Sequence, residues 1–514
     1  MVNKYLLGLC TLGLFLMGGS GCKSQEIQSF IVMNATIVDG TGAPARVGAV
    51  RVAEGRIVGI GDVEVQSGDN VIDGAGLVLA PGFIDTHSHH DRGLLDDRAA
   101  ADAVSQGITT VVVGQDGGSP FPLSDFFGRL ESTPTAINVA SYAGHNSIRR
   151  HVMGDDYERP ATEGEIAEMQ SLLLTEMETG ALGLSTGLEY DPGIYSTTDE
   201  VLALARTAAG EGGRYISHLR SEDRRLGEAV DEIIAIGRET GMPVQISHFK
   251  IAIVSRWGEA EEFIARLDRA REEGVNITAD VYPYEYWQST LTVLFPERDF
   301  DNRETAAFVL EQLAPPEGLL MSRFGPDSTY VGKTIAEIAV LRNTDPVTTL
   351  IDMLAEAEAW NTEGRWEGDV GVIGTSMKTE DVIRLMQWEH TNIGSDGALN
   401  GRHPRGIGTY PRVLGRYARE MNAFSLEEAV FKMTGLAADH MGFSDRGTIS
   451  VGSVADLVLF DPEIVIDRAT PAEPHLQSEG VAMVWVNGVT VFRDGEATGA
   501  FPGTVLKRGE GGPR

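Results

Sequence analysis

Cysteine is nearly absent from this chain. Of 514 residues only Cys10 and Cys22 carry a thiol, and both lie in the N-terminal segment. The body of the chain has no pair to form a disulfide and no thiolate to act as nucleophile or metal ligand. Positive charge is scarce too. The 42 Lys and Arg stand against 75 Asp and Glu, a formal net charge of −33. Such a surface repels phosphates, which excludes nucleic acid as a partner. No low-complexity tract and no short-period repeat occurs. The chain does carry 42% hydrophobic residues, ample for one large domain plus a smaller one.

The N-terminus reads as a targeting segment. Lys4 supplies a positive start, and Tyr5–Met17 is an apolar run too short for a permanent membrane span. Gly18, Gly19, Ser20 and Gly21 then precede Cys22. This resembles a bacterial lipoprotein signal over residues 1–21, with Cys22 as the lipidated first residue, although such signals prefer Leu where Gly19 stands. A plain secretory signal is the alternative. Lys23 after the cysteine suits an outer-membrane destination. The expectation is an exported protein, anchored to a membrane through lipid alone.

Residues 29–80 and 446–505 share a texture of short β segments with turn signals such as Asp39-Gly40, Asn487-Gly488 and Asp494-Gly495. They predict one small β-sandwich domain assembled from both chain ends. Between them, residues 81–445 alternate strand-like and helix-like runs. Strand candidates are GFIDTHSH, TTVVVGQDG, AINVASYAGH, GALGLSTG, YISHLR, VQISHFK, NITADVYPY and TNIGSDG. Helical stretches such as 163–180, 226–241 and 259–274 repeat apolar residues every three or four positions and close on Gly. This alternation predicts an α/β fold, a (β/α)8 TIM-like barrel. The stretch 291–370 exceeds one connecting helix and predicts an inserted subdomain or lid.

In such a barrel the chemistry stands at the C-terminal ends of the strands. His87 and His89 end the first candidate, two apart and so on one face. Asp116 ends the second, His218 the fifth, His248 the sixth and Asp396 the eighth. Imidazoles and carboxylates converging in an apolar frame are costly to bury without a cation. The set suits Zn²⁺, one ion or two, with other divalent ions open. His87, His89 and Asp396 would hold one ion, and His218 with His248 another, with Asp116 bridging or completing it. Asp396 has a second use: a carboxylate beside such an ion can take a proton from water and pass it to a leaving nitrogen. Lys250 should face the same way as His248 and could bind an anion. Tyr282 could donate to substrate, and Arg405 could fork onto a carboxylate. Tyr284 reads as packing, and Trp287-Gln288-Ser289 as a stretch that shapes the pocket. His145 reads as a supporting or packing residue rather than a ligand, and His90 and Asp91 as supports for the first ligands.

These stretches together resemble the amidohydrolase superfamily, most closely its D-aminoacylase (N-acyl-D-amino-acid deacylase) branch. The resemblance rests on APGFIDTHSHHD, GALGLSTGLEYDPG, YISHLRSE, VQISHFK, ADVYPY, IGSDG, HPRGIGTYPRVLGRYARE and GVAMVWVNGVTVFRDGEATGAFPGTVL, spread over about residues 30–507. It implies a metal-dependent barrel carrying a β-sandwich, with His87, His89, His218 and His248 as ligands and Asp396 as the catalytic aspartate. It implies that Lys250, Tyr282, Arg405 and Ser289 grip the carboxylate of a small N-acyl amino acid. The chain departs from that family at Gln115-Asp116-Gly117, where the family often carries Asn-Cys-Gly with its cysteine on zinc. The loop after Tyr284 is bulkier than usual, and the span from Asp396 to Arg405 shorter.

The expected activity is hydrolysis of the amide bond of N-acyl-D-amino acids. Two alternatives stand beside it: another C–N hydrolase acting on a cyclic amide or dipeptide, and a surface-anchored binding protein without turnover. A deaminase is disfavoured, because no Glu follows His218 or His248 at His-x-x-Glu spacing.

Overall fold

The computed structural model describes residues 29–362 and 370–509. The stretch expected to act as a targeting signal, with Cys22, lies outside the described residues. Among those described, no helix is long and apolar enough to cross a membrane.

Eight parallel strands frame the centre: β1 (Phe83–Asp85), β2 (Ile108–Val113), β3 (Asn138–Ser141), β4 (Gly183–Gly187), β5 (Arg214–His218), β6 (Val244–Ile246), β7 (Ile277–Val281) and β8 (Thr391–Ile393). Ladders join β1 to β2 and β2 to β3. Ala143–Gly144, just past β3, carries the pairing on to β4, and β5, β6, β7 and β8 follow in order. Beyond β8 a parallel bridge pairs Gly397 with Ser88, and the amide of Asp396 donates to the carbonyl of His87 at 2.8 Å. The ladder therefore returns to its start, and the eight strands form a ring. β2 (ITTVVV) is buried at every position, as β-branched residues sheathed on both faces should be.

Helices return the chain between strands. Glu163–Thr179 opens on a capping box, Thr162 with Glu165, and ends on Gly180 at φ 117°. Leu226–Thr240 buries Leu226, Ala229, Val230, Ile233, Ile234, Ile236 and Gly237 against the barrel.

Both chain ends meet in one nine-stranded sheet. Phe30–Ile37 is its hub, pairing antiparallel with Arg46–Ala53 and parallel with Asn70–Asp73 and Val78–Pro81. Val78–Pro81 in turn pairs with Leu457–Phe460 from the far end of the chain. The hairpin at Arg56 bridges back to Val454. The sheet thus doubles over a core of its own, including Phe30, Val32, Ile37, Val50, Leu457, Leu459 and Trp485, with Phe30 stacked on Trp485.

Between β7 and β8 stands a separate three-stranded antiparallel sheet of Tyr286–Ser289, Leu319–Phe324 and Val370–Thr375, with helices Arg303–Phe308, Ile335–Arg342 and Pro346–Thr362 beside it. The insertion reaches further toward the barrel at both ends than 291–370. Trp287 explains why: its indole lies across Gly374, where a Cβ would stand 2.3 Å from the ring, and its Nε1 donates to Ser376 Oγ at 2.7 Å. The bulky loop noted in the sequence is therefore the edge strand of the insertion, held over the barrel mouth.

Candidate metal centre

Chain direction places the chemistry. Every strand of the ring points its C-terminal end the same way, so the residues just past those ends share one mouth. His87 and His89 follow β1, Asp116 follows β2, His218 ends β5, His248 follows β6 and Asp396 follows β8. These six side chains come together in two groups that share Asp116: His87, His89, Asp116 and Asp396 form one, and Asp116, His218 and His248 the other.

The distances define the sharing. Asp116 Oδ1 lies 3.4 Å from both His87 Nε2 and His248 Nε2, and Oδ2 lies 3.3 Å from His89 Nε2. Asp396 Oδ1 lies 3.2 Å from His89 Nε2 and 3.8 Å from His87 Nε2. His218 Nδ1 faces His248 Nε2 at 3.0 Å. Asp116, His248 and Asp396 all take left-handed backbone conformations, at φ 53°, 36° and 50°. Non-glycine residues do so at a cost and gather at functional sites. The turn holding Asp116 packs so tightly that a Cβ on Gly187 would sit 2.1 Å from the Asp116 carbonyl oxygen.

The electrostatics are those of a cation site. Burial alone would raise the Asp116 carboxyl, but His87 and His248 hold it well below the usual carboxylate range. Burial would raise Asp396 as well; the Arg405 guanidinium and the imidazoles of His89, His248 and His87 keep it ionised. His87 Nε2 and Asp116 Oδ1 are buried without a hydrogen-bond partner. Buried polar atoms are normally satisfied, and a cation at this point would satisfy both. The residues present therefore fit a divalent ion.

Around them lie the residues expected to hold substrate. Arg405, opening helix Arg405–Arg412, pairs with Asp396 Oδ2 at 2.7 Å, and its guanidinium lies 4.7 Å above the Tyr282 ring. The Tyr282 hydroxyl is buried and has no partner. Lys250 does face the same way as His248, its Nζ 2.9 Å from Nδ1. Ser289 Oγ meets Tyr190 Oη at 3.4 Å. Lys250, Tyr282, Ser289, Arg405 and Asp396 line one narrow cavity, walled on the insertion side by Trp287, Val293, Leu294 and Leu313. A second cavity of about 590 Å³ opens beside His89, Asp116 and Asp396.

Other residues lie elsewhere. His145 is buried against Glu200 at 2.8 Å, away from the centre, and Tyr284 Oη donates to Pro404 O at 3.4 Å. His90 turns aside to bond Ser88 Oγ. Three carboxylates that the motif reading passed over stand against the ligand imidazoles. Asp280 Oδ1 lies 3.3 Å from His87 Nδ1 and accepts from the His248 amide at 2.7 Å. Glu189 Oε2 lies 3.1 Å from His218 Nε2, and Glu222 Oε1 lies 3.0 Å from His248 Nδ1.

A closed parallel ring with imidazoles and carboxylates at one mouth defines the metal-dependent hydrolases of the amidohydrolase type. The chain belongs to the amidohydrolase family, whose pattern matches residues 70–317 and 336–492. It is 38% identical over 511 residues to an N-acyl-D-aspartate deacylase of Alcaligenes xylosoxydans xylosoxydans, covering 94% of this chain and 96% of that one. It is 36% identical over 508 residues to an N-acyl-D-glutamate deacylase of the same organism, covering 94% and 97%. The crystal structure of N-acyl-D-glutamate deacylase from Bordetella bronchiseptica, complexed with zinc and a phosphonate inhibitor, superposes with a TM-score of 0.83 at 35% identity, covering 93% of this chain and 99% of that one.

Proposed function

We propose that the protein hydrolyses the amide bond of N-acyl-D-amino acids, releasing a carboxylate and a free amino acid. Relatives that are deacylases by name, similar along almost their whole length, support the reading. The observation that carries it is the adjacency of Asp396 to both the imidazole cluster and Arg405. Proton transfer and carboxylate recognition then act on neighbouring atoms of one substrate.

His87, His89, Asp116, His218, His248 and Asp396 would hold zinc, which polarises a carbonyl and acidifies water in such sites. Asp396 accepts a proton from the attacking water and returns it to the departing amide nitrogen. Lys250, Tyr282, Ser289 and Arg405 receive the α-carboxylate and fix the scissile carbonyl near Asp396. Without substrate both cations are already paired, Arg405 with Asp396 and Lys250 with Glu222. The substrate carboxylate takes a share of each, which loosens Arg405 from Asp396 and leaves that carboxylate a better base. The acyl half, on the far side of the scissile bond, extends into the 590 Å³ cavity.

A panel of N-acetyl-D- and N-acetyl-L-amino acids tests the reading, with and without chelator. Turnover of D-substrates that chelator abolishes and zinc restores is expected. Inactivity of zinc-loaded protein on every D-substrate would overturn it. The N-terminal pattern adds a location: export, with Cys22 acylated. Mass spectrometry of the mature N-terminus tests that part separately.

A further inference from the structure

Glu222 touches two functional groups at once, and chemistry limits what it can be doing. It lies in the loop after β5, four residues past His218, and is 9% exposed. Its Oε1 is 3.0 Å from His248 Nδ1 and its Oε2 is 2.5 Å from Lys250 Nζ. Lys250 Nζ is itself 2.9 Å from His248 Nδ1. The backbone amide of Glu222 donates to Glu189 Oε1 at 3.3 Å, and the other oxygen of Glu189 meets His218 Nε2. Each imidazole of this half thus turns one nitrogen to Asp116 or its fellow histidine and the other to a glutamate.

Three groups meet at His248 Nδ1. An ammonium only donates, a carboxylate only accepts, and a neutral imidazole nitrogen does one or the other according to tautomer. Two arrangements follow. With Nδ1 protonated, it donates to Glu222, Lys250 also donates to Glu222, and Nε2 presents a lone pair toward Asp116. With Nδ1 bare, Lys250 donates to it, the proton sits on Nε2, and that nitrogen cannot ligate.

We propose that Glu222 is a positioning residue that fixes the ligating tautomer of His248 by drawing Lys250 onto itself. The inference rests on the metal reading of the site and is independent of which acyl amino acid is cleaved. Glu222 accepts from both donors, so the ammonium is kept from competing for Nδ1. Without the carboxylate, Lys250 becomes the partner of Nδ1 and closes Nε2 to the ion. Lys250 thus has two faces. Beside Glu222 it is harmless to the metal and ready for substrate; without Glu222 it is an inhibitor of metal binding built into the chain.

The test is a cycle of three variants, E222Q, K250M and E222Q/K250M, each refolding-competent by circular dichroism. Zinc affinity is read by competition with a chromophoric chelator and zinc content by elemental analysis, with no substrate present. Loss of a partner to a metal-bound histidine typically costs about 10- to 100-fold in affinity, and E222Q should fall in that range. K250M alone should hold zinc as the wild type does. E222Q/K250M should recover most of what E222Q lost, because the competing donor is gone. A purely structural role for Glu222 predicts no recovery, so loss without rescue would overturn the proposal. Unchanged affinity in E222Q would also overturn it. A wild-type protein that takes up no zinc would overturn the metal reading and this inference together; a zinc-loaded wild type with either result above would overturn this inference alone.

Discussion

The two halves of the centre use the same donors and are built differently. His89 and Asp396 open onto the wide cavity, with His87 fully buried beside them, and Asp396, which also reaches the narrow cavity, is tied to Arg405. His218 and His248 face the narrow cavity and are backed by Glu189 and Glu222. The first half has a carboxylate, Asp396, that reaches both cavities and can carry a proton. The second has Glu189 and Glu222 at the remaining nitrogens of its two imidazoles, where the first has Asp280 at His87. Asp116 stands between, one oxygen toward His87 and His248 and the other toward His89. One half is arranged for chemistry and the other for retention.

The largest effect should come from removing the shared member. D116A should lower bound zinc and reduce hydrolysis to background, read by elemental analysis and by turnover; a fully zinc-loaded, active D116A would mean that the halves do not depend on each other. D396N comes next. It should lower kcat by about 10²- to 10⁴-fold, the usual weight of a general acid–base group, while zinc bound on the other half stays. Loss of all zinc in D396N would erase the contrast between the halves. K250A and R405A should each raise KM by about 10- to 100-fold, the scale of a hydrogen bond to a charged group. R405A should also change kcat, since Arg405 touches Asp396 and Lys250 does not; equal kcat values in the two variants would contradict that assignment.

The smallest effect lies outside the centre and serves as a control. Lys432 is buried beneath β8, donating to the carbonyls of Trp388 and Thr391 at 2.8 and 3.3 Å. Burial pulls its pKa from 10.5 down to about 8. Between those values the unfolded chain holds the proton and the folded chain does not. Stability therefore rises with pH across that window, by at most about 1.4 kcal/mol per unit. K432M should lack this rise in denaturant titrations at pH 8 and 10 and leave zinc content untouched.

Much of this was legible from spacing. His87 and His89 are two apart on an extended segment, and Lys250 stands two past His248, so each pair shares a face without knowledge of the fold. Once the eight strands were ordered, the strand-end rule brought Asp116, His218 and Asp396 to the same mouth. What escaped were Glu189, Glu222 and Asp280. Glutamate after a strand is unremarkable in a chain with 75 acidic residues, and the work of Glu222 depends on a lysine 28 positions away. Asp280 did leave a sign: it is a carboxylate inside a fully buried strand, ITADV, where only a partner could justify it. Asp85 left the same sign in FID. It ties β1 to β8 by accepting from Ser395 N at 2.8 Å and Ser395 Oγ at 2.5 Å. The insertion's edge strand was hidden because its pairing partner, Val370–Thr375, lies beyond a strand and three α-helices, and no local pattern announces so distant a ladder.

The sheet made from both chain ends has a consequence for when this protein can fold. Val78–Pro81 enters the barrel directly, yet one of its flanks is covered only by Leu457–Phe460. During synthesis that flank stays bare until Leu457–Phe460 has emerged. Closing so long a loop is slow. Until then Val78–Pro81 presents an open sheet edge, exposed to stray strand pairing.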